Sequence, residues 1–273
     1  MVSVNTNYGA LVALQSLNAT QSDLAEVQNR INTGLKVGSA KDDGAVFAIA
    51  QQQRGRLSAQ QVLRDAMDRA ISTIDIGLSA AESVQNILMQ MKEKALAASA
   101  PGLTTAQIGA YNNDFIALRD SIDPLVNAAQ LNGQNLINDS GASMQVKVND
   151  LDMSTIVTVT GQGLTTASLS INTATFSTAG EASTIVATIS GVLSTINASV
   201  SSLGGKANAL RLMKEFSVKM SDTTEKGVGV LVDADMAREA ARLQSLQVKQ
   251  QLGAQALSIA NQQPQILLSF FGQ

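Results

Sequence analysis

Apolar residues recur along this chain in alternating steps of three and four, the spacing of a helix that packs along another helix. The longest stripe occupies positions that are all apolar or small: Leu63, Met67, Ala70, Ile74, Gly77, Ala81, Val84, Leu88, Met91, Ala95 and Ala98. At 1.5 Å per residue, a helix over this range would be about 54 Å long. Helices in compact domains are far shorter, so the pattern predicts an elongated rod.

Further helices are predicted before and after this stripe. Toward the N-terminus, a seven-residue repeat ends at Gly34, and Ser39 with Asp42 resembles a capping box that would open another short helix. After the stripe, Pro101-Gly102 ends the long helix and Thr104 is the expected N-cap of the next one. That next helix contains Pro124, where we expect a kink or a break.

The C-terminal half repeats the helical pattern after a segment of different composition. Residues 141–180 are rich in Ser, Thr and Gly, and their short alternating runs predict a small β insert, preceded by a turn at 131–135. Helical periodicity returns near Ser183. We expect Lys226-Gly227-Val228-Gly229 to break that helix, and a last helix to begin at Asp233 or Asp235 and stop at Pro264.

The predicted fold class is therefore mainly α: an elongated rod of long antiparallel coiled-coil helices with a small β insert. The rod seam is predicted to consist of Leu63, Ile74, Val84, Leu88, Ile189, Ile196 and Leu203. The predicted divisions are an N-terminal helix at 1–38, the two parts of the rod at 39–140 and 183–230, the insert at 141–182, and a C-terminal helix at 231–273.

Composition argues against catalysis and against most ligands. The chain has no His and no Cys, which removes the commonest acid–base group and the usual zinc ligands. We therefore predict no enzyme activity, no catalytic residues, no metal site and no cofactor. The net charge of −3 comes without a basic cluster, so no nucleic acid is expected as a partner. Without a run of 18 apolar residues, no membrane insertion is expected either.

Charge is scarce at both ends of the chain. Residues 1–29 contain only Asp23 and Glu26 as charged residues, and residues 250–273 contain none. Soluble monomers usually keep such surfaces charged, so we expect these ends to pack against other copies of the chain. Head-to-tail contacts between unlike patches do not close, and they generate a helical filament. The first basic residue is Arg30, so we expect export without a cleaved signal peptide.

Four segments carry a family resemblance. Asn5-Thr6-Asn7 and the stretch 32–43 (NTGLKVGSAKDD) resemble the N-terminal signature of bacterial flagellins, and 233–239 (DADMARE) and 255–265 (QALSIANQQPQ) resemble their C-terminal region. With its small insert and its aromatic end, the chain resembles the short flagellins of alphaproteobacteria. The resemblance covers about residues 1–138 and 183–273.

The resemblance implies an extracellular subunit of the bacterial flagellar filament, used for swimming motility. Its terminal helices would form the inner filament layer, with self-assembly residues Leu11, Leu14, Leu17, Leu24, Ile31, Met236, Leu243, Leu246, Leu257, Ile266 and Phe270. The implied partners are the chain itself, an export chaperone, the flagellar type III export apparatus, and the cap and hook-junction proteins. Family members often carry O-linked glycans, for which the insert offers Thr173, Thr175 and Ser177.

Two alternative functions are compatible with parts of the pattern. A hook–filament junction protein would share the flagellin-like ends, but it usually has a longer and distinct middle. A signalling coiled coil would share the long helices, but it would need a membrane span or a sensor domain.

Overall fold

The computed structural model describes the backbone of residues 6–138, 141–150, 152 and 154–271, and the side chains of these residues as far as 262. Six helices account for most of it: α1 (Tyr8–Thr33), α2 (Gly44–Ala98), α3 (Thr105–Asp120), α4 (Ile122–Ala128), α5 (Ala179–Val232) and α6 (Met236–Phe271). Four short strands complete the described elements: β1 (Gln130–Leu131), β2 (Gln134–Asn135), β3 (Ser143–Lys147) and β4 (Ile156–Thr160). The predicted mainly α class with a small β insert is confirmed.

The chain forms two compact units. Unit 1 consists of Met1–Gly55 with Thr223–Gln273, and unit 2 is Arg56–Asp222. Unit 1 contains the two terminal helices, and unit 2 contains α3, α4, all four strands and the greater parts of α2 and α5.

Helices α2 and α5 run antiparallel within unit 2, and polar contacts along them establish the direction. Lys214 pairs with Asp68 at 2.6 Å, and Arg211 pairs with Asp75 at 3.1 Å. Residue numbers therefore rise along one helix as they fall along the other. The residues predicted for the rod seam belong to the core of unit 2: Leu63 is partly buried, and Ile74, Val84, Leu88, Ile189, Ile196 and Leu203 are fully buried.

The β insert contributes more to the core of unit 2 than the sequence suggested. Strands β3 and β4 pair antiparallel, with Val146 opposite Val157, and Val146 is itself buried. The segment after β4 buries four further apolar residues: Leu164, Leu169, Ile171 and Phe176. The Phe176 ring meets the Phe115 ring of α3 edge-on, with centroids 5.4 Å apart. Four large apolar residues in a Ser/Thr-rich stretch were the available signal for this packing.

The turns and breaks between 121 and 135 follow local chemistry. The predicted interruption near Pro124 is confirmed, but it falls at Ser121, between α3 and α4. Pro124 lies in the first turn of α4, where a missing amide hydrogen costs no helical bond. The predicted turn at 131–135 is confirmed as a two-residue hairpin turn, with Asn132 at φ 50° and Gly133 at φ 80°.

The predicted short helix after Ser39 is wrong. Residues 39–42 form a turn, in which the Ser39 backbone N–H donates to Asp42 Oδ2 at 2.8 Å. The long helix α2 begins directly afterwards at Gly44. Asp43 caps it, because its Oδ1 accepts from the backbone N–H groups of Ala45 and Val46, both at 3.0 Å.

The predicted break at Lys226–Gly229 is also wrong, because α5 continues to Val232. A glycine in a helix interior costs about 1 kcal/mol relative to alanine. Burial offsets that cost here, since Val228 and Val232 pack in one apolar cluster with Val37 and Ala50 of unit 1. Local propensity at this position is overridden by packing.

Helix α5 is also long and apolar enough to cross a membrane by length and composition, with a window of mean hydropathy 1.4. A search for uninterrupted apolar runs missed this window because Ser, Thr and Gly recur throughout the helix. The heptad positions of the helix, among them Ile189, Ile196 and Leu203, are buried in the core of unit 2. A single helix of this kind is weak evidence for a membrane.

Candidate self-assembly site

The terminal helices α1 and α6 pair antiparallel in unit 1. Asn7 of α1 meets Ala260 of α6, and Arg30 at the other end of α1 meets Glu239. Between these ends, Gly253 allows a close approach: a Cβ added there would lie 3.3 Å from the Leu17 Cδ1. The pair is therefore held by contacts near both ends and in between, at Gly253, where a side chain on α6 would crowd Leu17.

Asn7 stabilises both helices at once. Its Oδ1 accepts from the Ala10 backbone N–H at 3.0 Å, which caps α1, and its Nδ2 donates to the Ala260 carbonyl at 2.7 Å. In a regular helix the backbone N–H of residue 264 would donate to that carbonyl. Pro264 has no amide hydrogen and cannot do so. The prediction that the last helix stops at Pro264 is wrong, since α6 continues to Phe271. The Asn7 amide replaces the donor that proline lacks.

The opposite end of the pair carries an ion-pair network. Arg30 contacts Glu26 of its own helix and Glu239 of α6, the latter with Nη1 and Oε1 3.4 Å apart. Asp235 caps α6 by accepting from the backbone N–H groups of Ala237 and Arg238, so the predicted helix start is confirmed. Glu239 is largely buried, and its second oxygen has no hydrogen-bond partner among the described residues.

The turn that follows α1 contains a stabilised carboxylate. The backbone N–H and the hydroxyl of Ser39, with the N–H of Gly38, donate to Asp42 and lower the pKa of that carboxyl below its usual value. Because the pKa of Asp42 is lower in the folded state, these hydrogen bonds stabilise the turn fully at pH values above the pKa that Asp42 has in the unfolded chain. That stabilisation is lost as pH falls through the lower value. The predicted helix end at Gly34 is confirmed, with a left-handed φ of 71°.

The predicted self-assembly residues separate into two groups. Those that face between the helices are partly or fully buried: Leu17, Leu24, Ile31, Leu243, Leu246 and Leu257. Leu11, Leu14 and Met236 are exposed instead. Ile266 and Phe270 lie in α6, among the residues whose side chains the structure does not describe. Val27, three residues after Leu24 in the same repeat, is fully buried, although it was not among the predicted self-assembly residues.

A second set of large apolar residues on these helices is exposed. Among the described side chains it consists of Tyr8, Leu11, Val12 and Leu14 on α1 and of Met236, Val248, Leu252 and Ile259 on α6. Leu11, Leu14 and Met236 of this set were predicted to take part in self-assembly, and the other five were not. The missed signal was a second apolar spacing on α6, from 248 to 252 to 259, beside the stripe that contacts α1. We call this exposed set the outer stripe.

The three candidate glycosylation residues lie in the segment after β4. Thr173, Thr175 and Ser177 are all exposed. The Thr175 hydroxyl donates to Asn112 Oδ1 at 2.9 Å, and the Ser177 backbone N–H donates to Glu181 Oε2 at 2.6 Å. Among these three residues, the Thr175 hydroxyl is thus engaged within the protein.

Comparison with known proteins covers both helical regions. Residues 4–142 match the bacterial flagellin N-terminal helical region, and residues 186–271 match the bacterial flagellin C-terminal helical region. The two matches together span well over half of the chain and leave out most of the β insert.

Individual relatives extend the similarity across nearly the whole chain. Flagellin FljM of Caulobacter vibrioides is 45% identical over 270 residues, which is 98% of each chain. A flagellin of Brucella melitensis is 35% identical over 290 residues, 99% of each chain. A solved structure from Vibrio parahaemolyticus, assigned as flagellar hook-associated, has a TM-score of 0.59 over 70% of this chain and 99% of that one. At 14% identity it shows likeness of fold alone.

Three observations indicate the same family. They are the paired terminal helices, the matched regions at both ends of the chain, and the relatives that are similar over nearly their full length. The alphaproteobacterial relatives are flagellins, which form the extracellular flagellar filament and are structural proteins rather than enzymes. The chain belongs to the bacterial flagellin family and is a structural subunit that self-assembles into the flagellar filament.

Proposed function

We propose that the α1–α6 pair is the surface through which the subunit polymerises, and that it forms the inner filament layer. The observation that carries the proposal is the outer stripe. Large apolar side chains stay exposed on both helices although each helix already has a partner: Leu252 is 57% exposed and Ile259 is 63% exposed. A monomer gains nothing from these positions in water.

The free energy available from this surface is large enough to drive association. Each Leu or Ile moved fully out of water contributes about 1.5–3 kcal/mol. Several such residues on both helices together exceed the cost of fixing two subunits relative to each other, which is at least about 4 kcal/mol. Few charges would have to be desolvated, because residues 250–273 carry none.

The helices of the pair gain order when they join the filament. Within α1 only Val27 is fully buried, whereas unit 2 buries a continuous cluster. A helix pair with so thin an interface offsets little of its ordering entropy. Burial against neighbouring subunits supplies the rest, which is coupled folding and binding.

The remaining roles assigned from the sequence are part of the same proposal. Residues 1–38 and 231–273 supply the inner layer, and the buried α2–α5 seam around Ile74, Leu88 and Ile196 transmits load along the filament. The residues at 141–182 lie outside these layers. Thr173, Thr175 and Ser177 are the proposed acceptors of O-linked glycans.

Export and assembly require partners beyond the chain itself. Family membership supports an export chaperone, the flagellar type III export apparatus, and cap and hook-junction proteins as those partners. The proposed export uses no cleaved signal peptide. The absence of Cys means that no disulfide has to be formed or broken as an extended chain passes through the apparatus.

The outer stripe can be tested by a matched pair of substitutions. Leu252→Asp and Gln251→Asp each add one negative charge to the same turn of α6, at positions that are both exposed in the subunit. We expect Leu252→Asp to raise the concentration needed for filament growth at least tenfold, about 1.4 kcal/mol, because it buries an unpaired carboxylate.

Seeded growth measured by sedimentation decides the result, with circular dichroism confirming that both monomers keep the helix content of the unchanged chain. Gln251→Asp should assemble with a much smaller loss. If the two variants assemble equally well, the outer stripe is not part of the polymerisation surface.

A further inference from the structure

Strand β3 of unit 2 has one edge that no described strand covers, because its sheet consists of β3 and β4 alone. At the two ends of the pairing, the Gly161 backbone N–H donates to the Ala142 carbonyl and the Val148 N–H donates to the Thr155 carbonyl. An antiparallel ladder alternates between bonded and unbonded pairs, so the even-numbered residues of β3 bond to β4. The backbone N–H and C=O groups of Gln145 therefore point away from β4, toward the free edge.

An open groove with a volume of about 430 Å³ lies beside this strand. All four residues 144–147 of β3 line it, and none of its described lining residues belongs to β4. Val62, Leu63 and Ala66 of α2 supply apolar surface, and the β1–β2 hairpin lines the groove as well. The groove is therefore located at the free edge of β3. We call this surface the β3 groove.

The side chains of β3 alternate between two faces. Val146 is buried and Met144 is partly buried, whereas Gln145 and Lys147 are exposed. A strand added at the free edge would follow the same alternation. Its inner side chains would meet the apolar surface of α2, on which Val62 is 62% exposed in the subunit. Its outer side chains would lie beside Lys147.

The charged side chains that line the β3 groove are basic. They are Arg69 and Lys147, and neither has an ion pair or a side-chain hydrogen bond among the described residues. No described acidic residue lines the groove. Asp65 and Asp68, the acidic residues nearest to Arg69 along α2, are both engaged by other side chains. Two unpaired cations beside apolar surface favour a partner that carries carboxylates.

We propose that the β3 groove binds an extended segment of another protein, in which apolar and acidic residues alternate, and that this segment pairs with β3 as an added strand. Backbone groups of Gln145 and Lys147 supply the main-chain hydrogen bonds, and the alternating side chains supply specificity. The apolar residues of the segment cover Val62, and its carboxylates meet Lys147 and Arg69.

A second copy of the chain offers no free segment of this chemistry. Outside the helices, acidic and apolar residues alternate only at 150–152 and 233–235. Both stretches are engaged inside the subunit, since Asp150 pairs with Arg56 at 3.2 Å and Asp235 caps α6. The occupant is therefore a different protein, and the inference goes beyond the proposed role of the α1–α6 pair.

The substitution Gln145→Pro tests the strand pairing selectively. Proline removes the N–H that points away from β4, so β3 and β4 keep their own bonds, and edge strands tolerate proline. Gln145→Ala is the matched control, because it changes the side chain but keeps that N–H. The probe is a labelled hexapeptide of alternating valine and aspartate, whose binding to the dilute full-length subunit is measured by fluorescence anisotropy. We expect Gln145→Pro to weaken binding about three- to tenfold and Gln145→Ala to leave it unchanged.

Charge reversal tests the acidic character of the partner. Lys147→Glu and Arg69→Glu should each weaken binding of the valine–aspartate peptide about two- to fivefold and strengthen binding of a valine–lysine peptide. Lys206→Glu, at an exposed position of α5 that does not line the groove, is the control and should change neither. If the unchanged chain binds both peptides equally well, the assignment of an acidic partner is wrong.

A valine–aspartate peptide methylated on all its backbone nitrogens keeps every side chain but cannot pair as a strand, and we expect it not to bind. This measurement needs no substitution in the protein. Binding of the methylated peptide, equal binding to the Gln145→Pro and Gln145→Ala chains, or no binding of the unmethylated peptide would each overturn the proposal. All of these measurements use the monomer, so their failure leaves the proposed polymerisation surface untouched.

Discussion

Units 1 and 2 bury apolar residues to very different degrees, although both are built from helices with the same heptad spacing. In unit 2, seam residues of α2 and α5 join α3, α4 and the β insert in one buried cluster that includes Phe115 and Phe176. In unit 1, the only cluster of buried apolar residues among those described is Val37, Ala50, Val228 and Val232. Val27 and Leu246 add isolated burial between α1 and α6.

The difference shows what a third layer adds to a helix pair. Two helices alone leave half of each surface in water, whereas two helices covered by further elements can bury residues on several faces. Unit 2 therefore buries an apolar core within one subunit, whereas α1 and α6 of unit 1 leave large apolar residues exposed. The proposed assembly uses this contrast, because unit 2 buries its own core and neighbouring subunits would cover the exposed apolar residues of unit 1.

Deleting residues 250–273 is the strongest test of this contrast. The deletion removes the half of α6 that contacts Leu17 and Asn7, so the outer half of α1 loses its partner. We expect complete loss of filament growth in a seeded sedimentation assay, with a cooperative unfolding transition of unit 2 preserved in the same variant. Filaments that form as readily as those of the full chain would contradict the dependence on unit 1.

Truncating a buried and an exposed phenylalanine of unit 2 compares a core position with a surface position. Phe176→Ala removes a fully buried ring that packs on Phe115, and we expect a loss of about 3–5 kcal/mol in the free energy of unfolding. Phe216→Ala, which changes the same residue type at an exposed site, should alter monomer stability by less than about 0.5 kcal/mol. Urea denaturation of both monomers measures the difference. Equal losses would mean that Phe216 is buried in the monomer as well.

The side-chain amide of Gln60 is buried in α2, near the start of unit 2. Gln60 is 1% exposed, and neither atom of its amide has a hydrogen-bond partner among the described residues. We expect Gln60→Met to raise the free energy of unfolding by about 1–3 kcal/mol, since it removes an unsatisfied polar group at similar volume. Gln90→Met, at an exposed position of the same helix, is the control for denaturant unfolding. A loss of stability in Gln60→Met would show that the amide is satisfied in solution.

The smallest expected effect concerns the hydrogen bond from Asn7 to the Ala260 carbonyl, which joins α1 and α6. Asn7→Asp keeps an N-cap acceptor for α1 but loses the donor to the Ala260 carbonyl, so the two roles of Asn7 separate. We expect the pair to weaken by about 0.5–1.5 kcal/mol. Amide hydrogen exchange of α6 in the monomer measures this effect, with Asn18→Asp as the control. Unchanged protection in Asn7→Asp would mean that the Ala260 carbonyl needs no side-chain donor.

The sequence predicted elements best where one periodicity governs a long stretch. Ile74, Leu88, Ile196 and Leu203 were placed on a seam by spacing alone, and all four are buried. Helix ends were predicted well where a capping residue defines them. Gly34 ends α1, and Thr104 begins α3 with a capping box that it forms with Gln107. Family signatures at both ends indicated the filament subunit, because they are specific in order and position.

Helix continuity and solvent exposure were decided by the tertiary structure. Gly227 and Gly229 favour a break by about 1 kcal/mol each, and the packing of Val228 and Val232 outweighs that preference. Pro264 lacks a donor, and a residue more than 250 positions earlier, Asn7, supplies one. No local pattern contains such a distant contact.

The sequence by itself determined that this chain has long helices with heptad spacing, few charges at its ends, and neither His nor Cys. Only the tertiary structure decided which apolar residues are covered. Leu24 and Leu252 are equally apolar in sequence, yet in the described part of the chain the first is partly buried and the second is exposed. Periodicity fixes the face of a helix on which a residue lies, and only the neighbouring elements determine whether that face meets protein or water.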